Sequence, residues 1–326
     1  MTGKHNSSGE KIGTDLERAH RLLTEGKLVA IPTETVYGLA GNALNPEAVA
    51  KIFQAKKRPA FDPLIIHTDT IEKVRQFTIN MPEQAEQLAK QLWPGPLTLI
   101  LPRHTIVPDL VTSGLDTVAV RIPRHPLSLQ LLQQLDFPLA APSANPFGYV
   151  SPTTAQHVYK NLGEQVAYIL DGGECPVGIE STIVGFPEGI PTVYRKGGVS
   201  VEMIEQLIGP VKVKEHSSSQ PTAPGMLKKH YSPHVPILLG DIPTLLNSYK
   251  DKKVGIISFK KHYKTQEQHC EIVLSERGDY AEAAQKLFAT LRELDQLPLD
   301  VILTELLPEK DLGRAINDRL RRAAAK

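Results

Sequence analysis

Cysteine is scarce in this chain, and it has neither a long apolar run nor an excess of one charge. Cys175 and Cys270 are the two cysteines, and neither belongs to a Cys-x-x-Cys pair, which disfavours a disulfide framework and a typical zinc site. No stretch approaches the about 18 apolar residues of a membrane span, and Met1 to Glu10 lack the apolar segment of a signal peptide. The formal net charge of +1 gives no whole-chain signal for a polyanionic partner. We therefore expect a cytoplasmic protein without membrane contact.

Several common catalytic motifs are also missing. The sequence contains no Gly-x-x-x-x-Gly-Lys-Ser/Thr phosphate loop, no His-Glu-x-x-His zinc helix and no Gly-x-Ser-x-Gly nucleophile turn. His230 and His234 are spaced i, i+4, but Pro233 breaks the helix that would place both rings on one face. P-loop, zincin and hydrolase chemistry are therefore disfavoured, and we predict no metal site built by the protein.

The length and composition are those of a globular protein with two domains: 326 residues, 41% hydrophobic and 22% charged. Helical and strand-like patterns are interleaved over the first part, which predicts a mixed α/β (α+β) domain with a twisted sheet and helices around a concave face. The run Ser217 to Gly225 has neither period and indicates a linker. We predict a first domain at 1–210, a linker at 211–236 and a second domain at 237–326.

The second domain has the pattern of a small parallel sheet. Apolar runs alternate there with helical patterns, as in βαβ units, and this predicts a Rossmann-like α/β fold. The apolar runs are Ile237 to Leu239, Val254 to Phe259, Ile272 to Leu274 and Val301 to Leu303. No Gly-x-Gly-x-x-Gly opens any of its predicted helices, so a nucleotide site in this domain would rest on topology alone.

Lys56 is notable for its phase in a predicted helix that starts at Pro46. Ile52 and Phe53 belong to the inward stripe of this helix, and Lys56 follows Ile52 at i+4 on the same stripe. A lysine in this place either extends to solvent or faces a cavity. Lys57 is out of phase, and we expect it to be solvated.

Arg58 and His67 each follow an apolar element. Arg58 precedes Pro59 in extended geometry and can present its planar guanidinium to phosphate oxygens, although it can also simply compensate the helix dipole. His67 ends the apolar run Leu64 to Ile66, so a buried strand would deliver it to the edge of the sheet. A structural histidine also fits this pattern.

The segment Thr117 to Ile122 alternates as a strand and places Thr117, Ala119 and Arg121 on one face. Thr117 and Arg121 are then ~13 Å apart, which spans a mononucleotide joined to an amino acid. A buried arginine needs an anionic partner, because an unpaired buried charge is costly. An exposed arginine on an edge strand is the alternative.

Seven short motifs follow one another along the chain. They are PTETVYGL at 32–39, KKRP at 56–59, PLIIH at 63–67, PSAN at 142–145, ESTIV at 180–184, YRKGG at 194–198 and HYSP at 230–233. In this order they resemble the YrdC/YciO-type threonylcarbamoyl-AMP synthases from about Leu16 to Pro233, and the chain as a whole resembles the long, two-domain branch. The resemblance implies that 1–210 is a YrdC-like catalytic domain whose concave face holds the active site.

The resemblance also implies roles for individual residues. Lys56, Arg58, Ser143 and Asn145 would form one catalytic polar cluster. ATP contacts would come from Arg58, Asp62, Thr117, Ser143, Ser151, Arg195 and Tyr231. Contacts to L-threonine would come from Thr35, His67, Arg121, the backbone at Ala141, and Ser181. Asp62 stands where the family more often has asparagine, which leaves open whether this residue contacts ATP through its side chain or its backbone.

The implied activity joins L-threonine, bicarbonate and ATP into L-threonylcarbamoyladenylate with release of pyrophosphate. The product would serve threonylcarbamoyladenosine modification of tRNA beside the anticodon, through a downstream threonylcarbamoyl transferase. Mg²⁺ is expected on the triphosphate, and direct contact with tRNA is not required.

The linker carries more chemistry than a passive spacer requires. Tyr231 offers an aromatic face and a hydroxyl group, and a loop folded over the cleft would protect an adenylate from water. We predict that the linker acts as a lid.

Two other functions stay open at this point. A concave basic face can bind double-stranded RNA or tRNA without catalysis, although the near-neutral net charge disfavours this. Related domains also occur in enzymes that transfer a carbamoyl group to another acceptor, but the zinc-finger cysteine pairs and acylphosphatase-like segments found there are missing here.

Overall fold

The computed structural model describes residues 11–214, 230–263 and 269–325. The strands of the first part are β1 Ile12–Gly13, β2 Val29–Ile31, β3 Gly38–Asn42, β4 Ile65–His67, β5 Leu97–Pro102, β6 Thr117–Arg121, β7 Leu139–Ala140, β8 Tyr168–Leu170, β9 Thr182–Gly185, β10 Thr192–Arg195 and β11 Lys212–Val213. Its helices are α1 Leu16–Thr24, α2 Pro46–Lys56, α3 Ile71–Phe77, α4 Glu83–Leu92, α5 Asp109–Thr112, α6 Pro126–Gln134, α7 Ala155–Leu162 and α8 Val201–Ile208, with a 3₁₀ turn at Pro187–Gly189. The second part contains β12 Ile237–Leu239, α9 Ile242–Ser248, β13 Val254–Ser258, β14 Cys270–Val273, α10 Tyr280–Leu294, β15 Val301–Thr304 and α11 Gly313–Ala323.

The first part forms one large mixed sheet with the strand order β1-β8-β2-β3-β7-β4-β6-β5-β9-β10-β11. In β5, Leu97, Leu99 and Leu101 join the main core, which also contains residues of α2, α3, α4, α7 and α8. Thr98 and Ile100 alternate with them and therefore face the other side of the sheet. On that side the strands β4, β5, β6 and β9 carry a much smaller apolar cluster, and this is the face that holds the candidate site.

Local signals explain the helix that leads to the site. The Asn45 side chain caps α2 by accepting from the backbone N–H groups of Glu47 and Ala48 at 2.9 and 3.3 Å. Pro46 occupies the first turn, and Lys57 ends the helix with a left-handed backbone conformation at φ 52°. The start predicted at Pro46 is confirmed.

The second part forms a four-stranded sheet with the order β12-β15-β13-β14, and all of its strand pairs are parallel. The predicted parallel sheet is confirmed. One face packs against α9, whereas the other packs against α10 and α11. Both faces of its strands are therefore buried, as the continuous apolar runs indicate.

The two parts share an apolar cluster. Val36, Tyr149 and Val150 of the first part pack with residues of α10 and α11. Gly178 permits a close approach here: its φ is +75°, and a Cβ at this position would lie 2.4 Å from the Cα of Gln285 on α10. The interface is therefore packed as closely as a domain core.

Some elements escaped prediction. The strand β3 has glycine at two of five positions and owes its structure to pairing with β2 and β7. The strand β11 pairs with β10, so the large sheet continues into the range predicted as linker. The Ser- and Pro-rich run from Ser217 to Gly225 lies outside the described residues.

Across the described ranges, no helix has both the length and the apolar character needed to cross a membrane.

Candidate active site

Strand register brings the predicted site residues onto the open face of the large sheet. β4 and β6 pair in parallel, with His67 opposite Arg121 and Ile65 opposite Ala119. Because side chains alternate along a strand, Thr117 lies on the same face as Arg121, as the sequence predicts. His67 stands at the carboxyl end of an interior strand, not on an edge strand.

A cavity of about 50 Å³ opens over this face, which is space for a few water molecules. Nine predicted site residues line it: Thr35, Arg58, His67, Arg121, Ala141, Ser143, Ser181, Arg195 and Tyr231. Glu180 and His230 line it as well. The other predicted residues, Lys56, Asp62, Thr117, Asn145 and Ser151, lie outside this lining.

Arg121 is buried and has a carboxylate partner within the protein. Its Nη2 lies 2.8 Å from Oε1 of Glu34, and its Nε donates to the carbonyl oxygen of Gly95 at 3.3 Å. The other oxygen of Glu34 accepts from the backbone N–H of Arg124 at 2.9 Å. Glu34 thus fixes the direction of the guanidinium, and a substrate carboxylate would have to share Arg121 with it.

His67 is buried beside Arg121. Burial and the neighbouring positive charge lower the pKa of His67 to about 3. The ring nitrogen Nδ1 lies 3.2 Å from the carbonyl oxygen of Ile65. His67 is therefore neutral at physiological pH and can take part in hydrogen bonds without adding charge to the cavity.

Arg58 turns back onto the loop that follows it. Its Nη2 lies 2.9 Å from Oδ2 of Asp62, and its Nε and Nη2 donate to the carbonyl oxygens of Asp62 and Pro63 at 3.0 and 2.9 Å. The buried Asp62 therefore uses its side chain to orient Arg58. This gives the aspartate a part in the site through its arginine neighbour.

Lys56 is buried, as its helical phase allows, while Lys57 is exposed as predicted. The Lys56 ammonium group donates to the carbonyl oxygens of Ser143 and Asn145, both at 2.5 Å. Burial and the charge of Arg58 lower its pKa well below the ordinary value. Lys56 thus reaches the loop that presents Ser143 to the cavity, and a direct catalytic contact stays a prediction.

Asn145 stabilises the same loop. Its Nδ2 donates to the carbonyl oxygens of Pro146 and Tyr149 at 2.9 and 2.8 Å. Its buried Oδ1 has no hydrogen-bond partner among the described residues. A direct contact of Asn145 with a ligand stays a prediction.

Hydroxyl groups connect the threonine-type positions. The Ser181 and Thr98 hydroxyls are 2.7 Å apart, and those of Thr35 and Thr33 are 2.8 Å apart. At Ala141 the backbone N–H donates to the carbonyl oxygen of Ile65 at 3.1 Å. These bonds fix the lining of the cavity beneath Arg121.

Arg195 is held by Ser181. Its Nε donates to the Ser181 carbonyl oxygen and its Nη2 to the Ser181 hydroxyl, both at 3.0 Å. Burial lowers the pKa of Arg195 to about 10, so the guanidinium stays charged at physiological pH. This places a fixed positive charge on the cavity wall.

Ser151 bonds to a carboxylate that the sequence analysis did not select. Its hydroxyl donates to Oε1 of Glu180 at 2.5 Å, and Oε2 of Glu180 lies 3.0 Å from Nη2 of Arg319 on α11. Glu34 and Glu180 were both missed, although each directly precedes a predicted residue, Thr35 or Ser181. An acidic residue beside a predicted ligand residue, in an apolar stretch, was the available signal.

Tyr231 is buried at the junction of the two parts with a left-handed backbone, φ 62°. Its ring centroid lies 5.3 Å from that of Phe288 and 4.1 Å from that of His230. The Arg322 guanidinium lies 4.7 Å from the ring centroid. The predicted linker residue thus belongs to a packed aromatic and cationic cluster beside the cavity.

Thr117 lies on the same face as Arg121 but at the opposite end of β6. It lines a second cavity of about 550 Å³ with Ile100 and Tyr194. The apolar cluster of Ile65, Ile100, Ala119 and Ile183, with Tyr194 against it, lies between the two cavities on this face. A ligand that reaches both Arg121 and Thr117 would have to lie across these apolar side chains.

The donor set does not favour a protein-bound metal. No group of three or more histidine, cysteine, aspartate or glutamate side chains suited to a metal occurs among residues 11–214, 230–263 and 269–325. The carboxylates near the cavity, Glu34, Asp62 and Glu180, are each paired with an arginine.

Comparisons with known proteins identify the family of this chain. Residues 21–197 match the family described as Telomere recombination (Sua5_yciO_yrdC), and residues 199–325 match Threonylcarbamoyl-AMP synthase, C-terminal domain. A threonylcarbamoyl-AMP synthase of Pyrococcus abyssi is 43% identical over 93% of this chain and 92% of its own length, and one of Bacillus subtilis is 40% identical over 95% and 92%. The crystal structure of P. abyssi Sua5 complexed with L-threonine superposes with a TM-score of 0.90 at 42% identity, covering 95% of this chain and 94% of that one. The chain therefore belongs to the Sua5/YciO/YrdC family of threonylcarbamoyl-AMP synthases, in its two-domain form.

Proposed function

We propose that this protein makes L-threonylcarbamoyladenylate from L-threonine, bicarbonate and ATP and releases pyrophosphate. The observation that carries the proposal is one cavity in which Arg121, His67 and Ser181 lie beside Arg58 and Arg195. The near full-length similarity to named threonylcarbamoyl-AMP synthases supports it.

The reaction depends on the alignment of threonine, bicarbonate and ATP and not on a nucleophile from the protein. The amine nitrogen of threonine bonds to the carbon of bicarbonate, and water leaves to give a carbamate. A carbamate oxygen then bonds to the α-phosphorus of ATP while the bond from this phosphorus to the bridging oxygen of pyrophosphate breaks. Arg121 would bind the threonine carboxylate, and Arg58 and Arg195 would bind phosphate oxygens as charge develops on them.

The ion pairs prepare these arginines for the reaction. Glu34 orients Arg121, and Asp62 orients Arg58, before a substrate arrives. Each arginine has five N–H donors in one plane, so some of them can bind the carboxylate of the protein while the others bind the substrate. The site is thereby organised in advance.

Magnesium would arrive with ATP. Because the nearby carboxylates are paired with arginines, the protein residues fit the phosphates themselves better than a bare cation. The ion would neutralise part of the triphosphate charge as a component of the substrate.

The small cavity supports a lid in residues 230–236. A ligand of this size needs a pocket of about 300–1,000 Å³, whereas the cavity that His230 and Tyr231 help to line measures about 50 Å³. We infer that these residues move away when substrates enter and cover the adenylate afterwards.

The adenylate is an activated carbonyl compound and would pass to a downstream threonylcarbamoyl transferase that modifies tRNA. We propose that the enzyme acts in the cytoplasm. Direct contact with tRNA is not needed for the reaction.

Mass spectrometry of the reaction mixture tests the proposal. We expect threonylcarbamoyladenylate when the protein is incubated with ATP, Mg²⁺, threonine and bicarbonate, and we expect pyrophosphate release to need both threonine and bicarbonate. Reactions that lack one component at a time are the controls. Pyrophosphate release at an unchanged rate without threonine would contradict the proposal.

A further inference from the structure

Arg319, in the middle of α11, places a buried charge from the second domain next to the cavity. Its side chain is 0% exposed. Nε and Nη2 donate to Oε2 of Glu180 at 3.2 and 3.0 Å, and Nη1 donates to the Lys196 carbonyl oxygen at 2.5 Å. Glu180 is itself part of the cavity wall. Through Arg319 the second domain therefore contacts a charged residue of the cavity lining.

Glu180 is ionised and lies between positive charges. Burial opposes its ionisation, but Arg319, Arg195 and the Ser151 hydroxyl together hold its pKa below the ordinary value. Its Oε1 accepts from Ser151 at 2.5 Å, while Arg319 binds Oε2. Both carboxylate oxygens are thus engaged.

The turn after β10 makes this arrangement one rigid unit. A Cβ at Gly197 would lie 2.3 Å from the Glu180 carbonyl oxygen and 2.4 Å from the Ser181 carbonyl carbon, so only glycine fits. The backbone that carries Arg195 and Lys196 is packed directly on Glu180 and Ser181. Arg319 contacts both sides of this packing, at the Glu180 carboxylate and the Lys196 carbonyl group.

We propose that Arg319 is a positioning residue for the phosphate-binding end of the site, which neutralises Glu180 so that the charge of Arg195 stays available to ATP. The assignment rests on the proposed function of Arg195. Without Arg319, the buried carboxylate loses the guanidinium that donates twice to its Oε2 and competes with the phosphates for Arg195. Arg121 and its partner Glu34 are separate from these contacts, and only Ser181 among the threonine-type positions is bonded to Arg195, so threonine binding should fall much less than ATP binding.

Four variants test this, with Arg321→Met as the matched control. Arg321 is on the same helix, but its side chain is 47% exposed and pairs with Glu309 on the surface. The tested variants are Arg319→Met, Glu180→Gln and the double variant Glu180→Gln with Arg319→Met. Calorimetry would measure binding of a non-hydrolysable ATP analogue and of threonine, and thermal unfolding would report folding.

We expect Arg319→Met to weaken analogue binding by about 10-fold to 100-fold, the range for a lost charge-assisted hydrogen bond. Threonine binding should change by less than about threefold, and Arg321→Met should match the wild type. The double variant should recover a large part of the loss, because position 180 then carries no charge to compete for Arg195, while Asp318, the other carboxylate paired with Arg319, keeps its ion pair with Arg322.

Several results would overturn the inference. Equal loss for threonine and the analogue would indicate a general packing defect, as would no recovery in the double variant. Wild-type analogue binding by Arg319→Met would exclude the role outright. Should Arg319→Met not fold, Arg319→Lys decides instead, because it keeps the charge but cannot reach both acceptors, and normal analogue binding by it would equally exclude the role. Failure of the wild type to make the adenylate would refute the proposed function. The binding measurements would still test whether Arg319 supports binding of the ATP analogue.

Discussion

The two sheets of this protein bury polar side chains in different places. The strands of the small sheet are covered by helices on both faces and contribute mainly aliphatic residues to two apolar clusters. In the large sheet, β4 and β6 bury His67 and Arg121 on a face with a much smaller apolar cluster. The buried polar side chains on strands of the large sheet thus lie on the face that lines the candidate cavity.

Among the described residues, the buried charged side chains of the second domain lie on its helices, and two of its arginines bond to the first domain. Arg292 of α10 donates to backbone carbonyl oxygens of Val150 and Ser151, and Arg319 of α11 binds Glu180. A buried arginine is costly unless it is paired. The second domain therefore places its buried positive charge where the catalytic domain supplies the partners.

Of the changes that test this difference between the two sheets, removal of the second domain should have the largest effect on activity. A chain that ends after Lys214 keeps β11 but exposes Val36, Tyr149 and Val150 and loses the partner of Glu180. We expect a folded first domain, because its main core is complete, with loss of nearly all adenylate formation. Circular dichroism would establish folding, and mass spectrometry would measure the adenylate.

The full chain with Tyr231→Ala provides the comparison for the truncation. It should lose part of the activity, since Tyr231 lines the cavity and packs against Phe288. Undiminished adenylate yield from a folded truncation would show that neither the lid nor the second domain contributes to the reaction.

Sequence reasoning reached the features that depend on local periodicity. The phase of α2 places Lys56 on the inward stripe of the helix but leaves open whether its side chain extends to solvent, and the alternation of β6 predicts that Thr117 and Arg121 share a face. Local periodicity cannot predict the hydrogen-bond partners of these residues, because those partners are distant in the sequence. Lys56 binds carbonyl groups 87 and 89 residues away.

The same limit applies to the contacts between domains. Glu180 and Arg319 are 139 residues apart, and the local sequence pattern around either residue does not predict their contact. A lone arginine on the apolar stripe of a helix resembles a solvated residue until the packing of the domains is known. Motif resemblance predicted most of the residues of the cavity wall and Asp62, but not the carboxylates of Glu34 and Glu180.

The Arg121–Glu34 pair allows a sharper test of the ligand-binding face. We expect Arg121→Ala to weaken threonine binding by about 2–5 kcal/mol, the cost of removing one partner from a desolvated charge pair. Binding of an ATP analogue should change little. Calorimetry with both ligands measures this, and Arg124→Ala, which changes an exposed side chain nearby, is the control.

Arg121→Ala also leaves the buried Glu34 carboxylate without its ion-pair partner. The double variant Glu34→Gln with Arg121→Ala removes this unpaired charge and separates a folding defect from lost recognition. If threonine and the analogue are lost equally in the double variant, Arg121 has been assigned to the wrong ligand.

The smallest expected effect concerns two adjacent lysines at the end of α2. Lys56 is buried and donates to the carbonyl oxygens of Ser143 and Asn145, whereas Lys57 is exposed. Lys56→Ala should lower kcat by about 10-fold to 100-fold, because the loop that presents Ser143 loses two hydrogen bonds, while Lys57→Ala should stay within about twofold of the wild type. Pyrophosphate release under saturating substrates measures kcat, and thermal unfolding verifies that both variants fold. Because the two residues are neighbours with the same charge, equal activity of the two folded variants would mean that the burial of Lys56 has no part in catalysis.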